Sequence, residues 1–396
     1  LAQAANRRYT DWIVPVDASR DIGLVLAGGG ARGAYQAGVL RALADCYPDL
    51  GIRILAGVSA GAINTAFLAN HEGRFVDATE GLCELWSNLH TEDVVRVQPT
   101  RLLSNVVKWG VRLGSGGALQ REHTHTGMVD SAPLREMLAR VLGVAAGDNR
   151  LPGFERRLAN GSLKALAITT TSYATGHAVT WVGGSAMERV HGVRQQRPCQ
   201  LTLDHVLASS SLPLFFPAVR LPDGWHGDGG IRETAPLSPA IHLGADRILA
   251  ISPRRNRSDV SPELELVDQY PPPAQILGIL MNSIFLDMLD EDAKRLDRIN
   301  QILLNGTPHD RQGFRPIRLL VVRPSADLGK MARDYEHELP SAFRYLTRGW
   351  GTRQANGSDA LAMLMFEAAY TRKLVELGEA DGHARAAEFR QFLEEP

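Results

Sequence analysis

The sequence predicts an α/β fold: a three-layer α/β/α arrangement around a central, mostly parallel sheet, with helices added at the C-terminus. Two observations carry this expectation. Residues 22–46 and 52–70 each run from a short branched apolar stretch through glycines into a helical pattern. Two strand–turn–helix units in succession imply a right-handed βαβ crossover. The apolar stretches also lack polar alternation, as strands buried on both faces of a parallel sheet do.

The elements follow in order. "IGLVLA", Ile22 to Ala27, reads as the first strand, and Gly33 to Cys46 places Ala34, Ala37, Gly38, Leu40, Arg41 and Leu43 at mostly helical spacing. "IRILAGVSAGAINTAFLAN", Ile52 to Asn70, repeats the unit with a helix of small residues. From Glu72 to Leu151 the pattern is helical and loop-rich, broken by "GSGG" at Gly114 to Gly117. Further strands are expected at Leu163–Thr171, Ala178–Val182, Arg247–Ser252 and Pro316–Arg323. If the last joins the same sheet, the helices between about Pro271 and Leu304 are an insertion, not a separate domain. After Asp359 the chain reads as two terminal helices.

Composition narrows the function classes. With 44% hydrophobic and 22% charged residues over 396 positions, the chain is ordinary globular protein with a large core. A formal net charge of −1 without long charge runs leaves no electrostatic footprint for nucleic acid. Cys46, Cys83 and Cys199 lie far apart without CxxC spacing, so they are expected to be buried free thiols. No HExxH, EF-hand loop or clustered ligand set suggests a metal, and no cofactor is expected. No uncharged apolar run approaches the ~18 residues of a spanning helix. The opening "LAQAANRRYTDW" lacks a basic segment followed by an apolar core, and a leader trimmed before Leu1 is compatible with the missing methionine. The expected location is the cytoplasm or the periphery of a membrane.

The chemistry sits in the glycine turns. Gly28, Gly30 and Gly33 satisfy G-x-G-x-x-G between a strand and a helix, the context of a dinucleotide site. Yet the acidic residue that would bind a ribose at the end of the second strand is replaced by "AGVSAG". There Gly57-Val58-Ser59-Ala60-Gly61 matches G-x-S-x-G, the nucleophile elbow; the alternative is a serine capping a helix. In a parallel sheet the turns after neighbouring strands lie side by side at the carboxyl edge. The N–H groups of Gly29 and Gly30 would then face the carbonyl oxygen of a group attacked by Ser59, and one such donor is worth ~3 kcal/mol of barrier. Arg32 adds a positive charge suited to an anionic head group or to anchoring the loop, the alternative being a solvated surface charge.

A base for Ser59 is harder to place. His337 and His383 come late enough for a Ser-His-Asp order, but both lie in charged helical surroundings. Asp228 is the better candidate, a lone carboxylate among Gly227, Gly229 and Gly230, with a plain turn aspartate as its alternative. Taken in order, GGGARG at Gly28–Gly33, GVSAG at Gly57–Gly61 and DGG at Asp228–Gly230 resemble the three signatures of the patatin-like phospholipases. "ASSSLPLFFPAV", Ala208–Val219, and "PLSPAIHLGADRILAIS", Pro236–Ser252, extend the likeness, which covers about Asp21 to Ser252 and reaches Ser325 with "IRLLVVRPS". The resemblance implies a Ser59–Asp228 dyad without histidine, an acyl-enzyme intermediate hydrolysed by water, and an oxyanion hole at Gly29 and Gly30 helped by Arg32. It also divides the chain into an extension over 1–20, a patatin-like catalytic domain over 21–325 and a C-terminal helical region over 326–396 packing on the same domain. After DGG the sequence departs from the pattern, with Thr234 where many relatives offer asparagine. His226 reads as a neighbour in the Asp228 turn.

The function expected is lipid acyl hydrolysis of the phospholipase A type. The alternatives are a general carboxylesterase or triacylglycerol lipase with the same dyad, and, more distantly, a dinucleotide-binding oxidoreductase or a non-catalytic lipid-binding module. Two stretches suit peripheral contact with lipid. "LLSNVVKWGVRLG" aligns Leu102, Val106, Trp109 and Leu113 on one helical stripe, and "ILGILMNSIFLDML", Ile276–Leu289, suits a lid or an acyl-chain wall. Buried amphipathic helices are the alternative for both.

Overall fold

The computed structural model describes residues 21–96, 129–184, 195–213, 215–255, 288–306, 314–341, 343–344 and 359–395. Residues 1–20, the stripe from Leu102 to Leu113, and Ile276–Leu289 up to residue 287 lie outside them. At the end of that last stretch, Met288 opens an 18-residue helix, Met288–Asn305.

The first unit forms as its residues dictate: strand β1 is Ile22–Leu26 and helix α1 is Gly33–Cys46. The second gives β2, Ile54–Val58, and α2, Ala60–Asn70. Strands β3 (Ala165–Ser172) and β4 (Ala178–Gly184) form where branched and threonine-rich runs are expected. A short β5, Gln195–Pro198, and a hairpin of β6 (Val219–Leu221) and β7 (Gly224–Asp228) are not foreshadowed by any periodic pattern. β8 (Arg247–Ile251) and β9 (Arg318–Val322) complete a nine-stranded sheet of main order β5-β4-β3-β2-β1-β8-β9. The run from β3 to β9 is parallel, and β9 pairs with β8 from Arg318 to Val322, so it joins the same sheet. β4 runs antiparallel to β3.

Each central strand splits its side chains between two cores with the period of two that a pleated strand imposes. Leu24, Leu26, Leu55, Leu166, Ile168, Leu249 and Ile251 point into the larger core, under α1 and α2. Val25, Ile54, Ala56, Ala165, Ala167, Ile248 and Ala250 point the other way, toward Leu289 and Leu296 of the Met288–Asn305 helix. Large side chains on one face and mostly small ones on the other accommodate a thick helical layer and a thin one. Helices therefore cover both faces, giving the three layers expected.

The thick layer includes the C-terminal helix α3, Ala368–Ala384, which crosses α1 where the backbones of Gly38 and Gly378 approach closely. The Tyr35 hydroxyl donates to Asp381 Oδ2 across this crossing (3.0 Å). Among the described residues no helix is long and apolar enough to cross a membrane. The cysteines depart from expectation: Cys46, at the last turn of α1, is exposed, while Cys83 and Cys199 are half-buried and free.

A buried polar chain joins the two units. Gln36 of α1 donates to the carbonyls of Ala27 (2.7 Å) and Ile251 (3.2 Å), and accepts from Asn64 of α2 (2.9 Å). Asn64 also donates to the Gly33 carbonyl (3.0 Å) and accepts from the Trp86 indole (2.8 Å). Gln36 and Asn64 are fully buried, so each polar group lost from the chain would strand its neighbours without water. Asn64→Ala is expected to cost roughly 2–4 kcal/mol by removing the donor to the Gln36 Oε1 and the acceptor of the Trp86 N–H, measured as a lowered urea midpoint.

Candidate active site

The two glycine turns meet because β1 and β2 are neighbours, with Leu26 level with Gly57. Both turns leave the sheet at its carboxyl edge. The first is a single helical turn, Gly30–Arg32, whose internal bond runs from the Arg32 N–H to the Gly29 carbonyl (3.2 Å). The N–H groups ahead of that bond, those of Gly29 and Gly30 among them, get no acceptor from the turn itself. Gly30 has φ +58, a left-handed conformation that a side chain resists, and its α-carbon faces the Met363 carbonyl. Arg32 is buried, 2% exposed, and so is not a solvated surface charge.

Ser59 follows β2 directly and precedes α2, with φ 56 and ψ −127. It is the one non-glycine residue at positive φ among the described residues. Such a conformation costs ~1–3 kcal/mol and persists only where the surroundings impose it. Here the Ser59 N–H donates to Ser209 Oγ (3.0 Å), and Ser209 Oγ donates to the Thr169 carbonyl (2.6 Å). Ser209 ends the helix Leu203–Ser209, and nothing in its sequence neighbourhood marks it as the brace of this turn. The motif glycines crowd around it: Gly28 lies against the Ser59 side chain, Gly33 against Ala60 and Trp86, Gly57 against Gly61 and Thr65, and Gly61 against the Leu26 carbonyl.

Strand register brings Asp228 to Ser59. β2 ends at Val58, paired with Thr169, while β3 continues to Ser172. β7 takes over that free edge, pairing Asp228 with Thr170, Gly227 with Thr171 and His226 with Ser172. Asp228 thus occupies the next place along β3 after Val58. Its backbone is fixed on both sides, the N–H donating to the Ser211 carbonyl (2.9 Å) and the carbonyl accepting from Thr171 Oγ1 (2.8 Å). The Ser59 hydroxyl donates to Asp228 Oδ2 (2.6 Å), and the Gly230 N–H donates to Oδ1 (2.9 Å). Gly229 packs against the Thr169 carbonyl.

Asp228 is fully buried, and burial pushes its carboxyl up to about 7 against the two hydrogen bonds that favour the charged form, with Glu233 nearby adding repulsion. A carboxyl balanced there can take up and release a proton near neutral pH.

The histidines lie elsewhere. His226 is buried beside Asp228 in sequence, but its ring nitrogens meet Thr170 Oγ1 (2.9 Å) and Asp223 Oδ1 (2.8 Å). His337 lies against Glu338 and His383 against Asp45, both well exposed. Thr234 is exposed, beyond the Asp228 turn.

An apolar pocket opens beside Ser59, with Gly30 and Ala60 at its polar end and walls that include Ile63, Trp86, Leu134, Phe216 and Leu364. Among the described residues its lining carries no charged side chain. An apolar lining of this kind suits a hydrocarbon chain, and Ser59 is among the residues that form it.

Comparison with known proteins gives one family match: the family described as patatin-like phospholipase, over residues 24–241. No curated protein matches. Among solved structures, the chain is similar over 91% of its length to VipD from Legionella pneumophila, covering 67% of it at 14% identity and a TM-score of 0.34. It is similar over 94% of its length to human GIVD cytosolic phospholipase A2, covering 60% of it at 14% identity and a TM-score of 0.45. A third likeness, to ExoU in its SpcU complex from Pseudomonas aeruginosa, covers 94% of the chain and 60% of the other at 15% identity, with a TM-score of 0.25.

Two outcomes follow from this geometry. Glycine normally costs stability relative to alanine, but at the strained position the order should invert: Ser59→Gly is expected to be about 1 kcal/mol more stable than Ser59→Ala in chemical denaturation. For Asp228 the folded carboxyl titrates near 7 against 3.8 for the free group. Its contribution to stability is full below the unfolded value and is lost as pH rises toward 7. Asp228→Asn, which cannot ionise, should therefore melt higher than wild type at pH about 8, with the gap closing by pH about 4.

Proposed function

Because the chain belongs to the patatin-like phospholipase family, with 24–241 matched, we propose that it is a lipid acyl hydrolase that cleaves carboxylic ester bonds through Ser59 and Asp228. The observation that carries this reading is the 2.6 Å hydrogen bond from a strained serine to a buried carboxylate, at the mouth of an apolar pocket.

Ionised Asp228 takes the Ser59 proton as Oγ attacks the ester carbonyl carbon. The charge that develops on the carbonyl oxygen falls to the N–H groups of Gly29 and Gly30, with the buried Arg32 holding their turn. Collapse releases the alcohol, protonated by Asp228, and leaves the acyl group on Ser59. Water then attacks with Asp228 again as base, and the free acid departs. The rigid Asp228 backbone and the Gly230 bond keep the carboxylate aimed without a third residue.

Phospholipid as substrate follows the family, and the uncharged pocket equally fits the acyl chain of a neutral ester. A general carboxylesterase or triacylglycerol lipase is therefore the second reading, separated from the first by headgroup preference. Peripheral contact with lipid belongs to the same proposal, with Trp109 as the docking residue suggested by the sequence. The dinucleotide reading is weaker, since β2 ends in the Ser59 turn where the ribose acid would stand.

A fluorophosphonate probe should label wild type and lose its label in Ser59→Ala. Asp228→Asn should lower kcat on a phospholipid or short acyl ester by at least about 10³-fold. Label retained in Ser59→Ala, or full turnover in Asp228→Asn, would overturn the mechanism. Because the base must be ionised, kcat/KM of wild type should rise with pH and level off above about 7, the value to which burial moves Asp228.

A further inference from the structure

The matched family span ends at residue 241, yet the pocket beside Ser59 is not closed by that span alone. Met363, Leu364 and Phe366, from the far end of the chain, supply part of its lining. They end the short helix Asp359–Leu364 and cross to the start of α3, and all are buried. Met363 sits at the polar end, its carbonyl against Gly30.

This crossing is tied to the opposite wall at defined points. Glu367, 8% exposed, accepts from Thr91 Oγ1 (2.7 Å) and lies 3.3 Å from His90 Nδ1. One turn later, Thr371 Oγ1 donates to the Trp86 carbonyl (2.6 Å). Trp86, Leu89 and Val94 line the pocket from that side. A buried carboxylate holding a threonine hydroxyl is costly to separate, so the two walls keep a set spacing. Spacing between apolar walls determines which hydrocarbon fits, because a close-packed lining neither expands nor tolerates voids without loss.

We infer that the Met363–Phe366 crossing, pinned by Glu367 to Thr91, is the acyl-chain gauge of this site and sets the chain length the enzyme accepts. The inference rests on the proposed hydrolase reading for its substrate, but not for its geometry. It makes the C-terminal region part of substrate recognition.

The test compares acetyl, butyryl, decanoyl and palmitoyl esters of p-nitrophenol on wild type, Leu364→Trp, Met363→Ala and Thr91→Val. The reading is the ratio of kcat/KM between long and short esters, which cancels any general loss of activity. A pocket contact of this size is worth about tenfold or more in that ratio. Leu364→Trp should shift the preferred length downward, while Met363→Ala should flatten the profile by opening the polar end and Thr91→Val should flatten it by freeing the wall. In parallel, saturated fatty acids of the same lengths are tested for thermal stabilisation of each protein, which needs no turnover. Length-dependent stabilisation altered by these substitutions supports the gauge even if no ester is cleaved, an outcome that would instead sink the hydrolase reading. If all three variants keep the wild-type length profile in both measurements, the inference is wrong.

Discussion

The molecule depends on a mismatch in strand length. β3 runs past the end of β2, and its last residues present backbone groups that must be paired if they are to stay buried. β7 pairs them, and the register of that pairing leaves Asp228 level with the residue that follows β2. Ser59 is that residue. The hydrogen bond between them is therefore a consequence of two strands sharing one edge of a third, with their positions fixed to within a residue by the ladder.

What this arrangement costs is visible in the same residues. Ser59 holds a conformation that side chains avoid, and Asp228 is a fully buried carboxyl. Neither would persist alone. The serine turn is imposed by the Ser209 brace and by glycines that let α2 press on β1, while the carboxylate is held by Gly230, Ser211 and Thr171. Stability spent on a strained hydroxyl and a poised acid is an expected feature of a working site, and the proposed chemistry uses both.

The sheet edge is connected to the rest of the fold through the chain of Gln36, Asn64 and Trp86. It connects the carbonyl end of β1, the first turn of α1, the middle of α2 and the Trp86 wall of the pocket. Trp86 then meets Thr371 of α3 through its carbonyl, and α3 lies along α1. The glycine turns, the Trp86 wall of the pocket and helix α3 are in consequence joined by a continuous set of hydrogen bonds.

Much of this was legible in the chain. The two strand–glycine–helix units, their parallel neighbours and the strand at "IRLLVV" follow from continuous apolar runs, whose burial is decided locally, while the place of that last strand in the same sheet is decided by its pairing with β8. Gly28–Gly33, Ser59 and Asp228 could be singled out because special backbone conformations demand small residues in fixed spacing, and such demands leave motifs. The hairpin that carries Asp228 left none, since β6 and β7 are too short for a period to register and are formed by an edge that β3 offers. Ser209, Gln36 and Asn64 read as ordinary polar residues, because a hydrogen bond across 150 or 28 positions has no local signature. The exposure of Cys46 was likewise set by where α1 ends against the surface. By itself, then, the sequence determined the layers of the fold through residue types that local geometry requires, and it singled out Ser59 and Asp228 as candidates through their glycine-rich motifs and the family resemblance those motifs carry. Only the tertiary structure decided the distance between that pair, the burial that moves the Asp228 carboxyl to about 7, and the part the C-terminal region plays in the pocket, because each arises from contacts between segments that the chain does not place side by side.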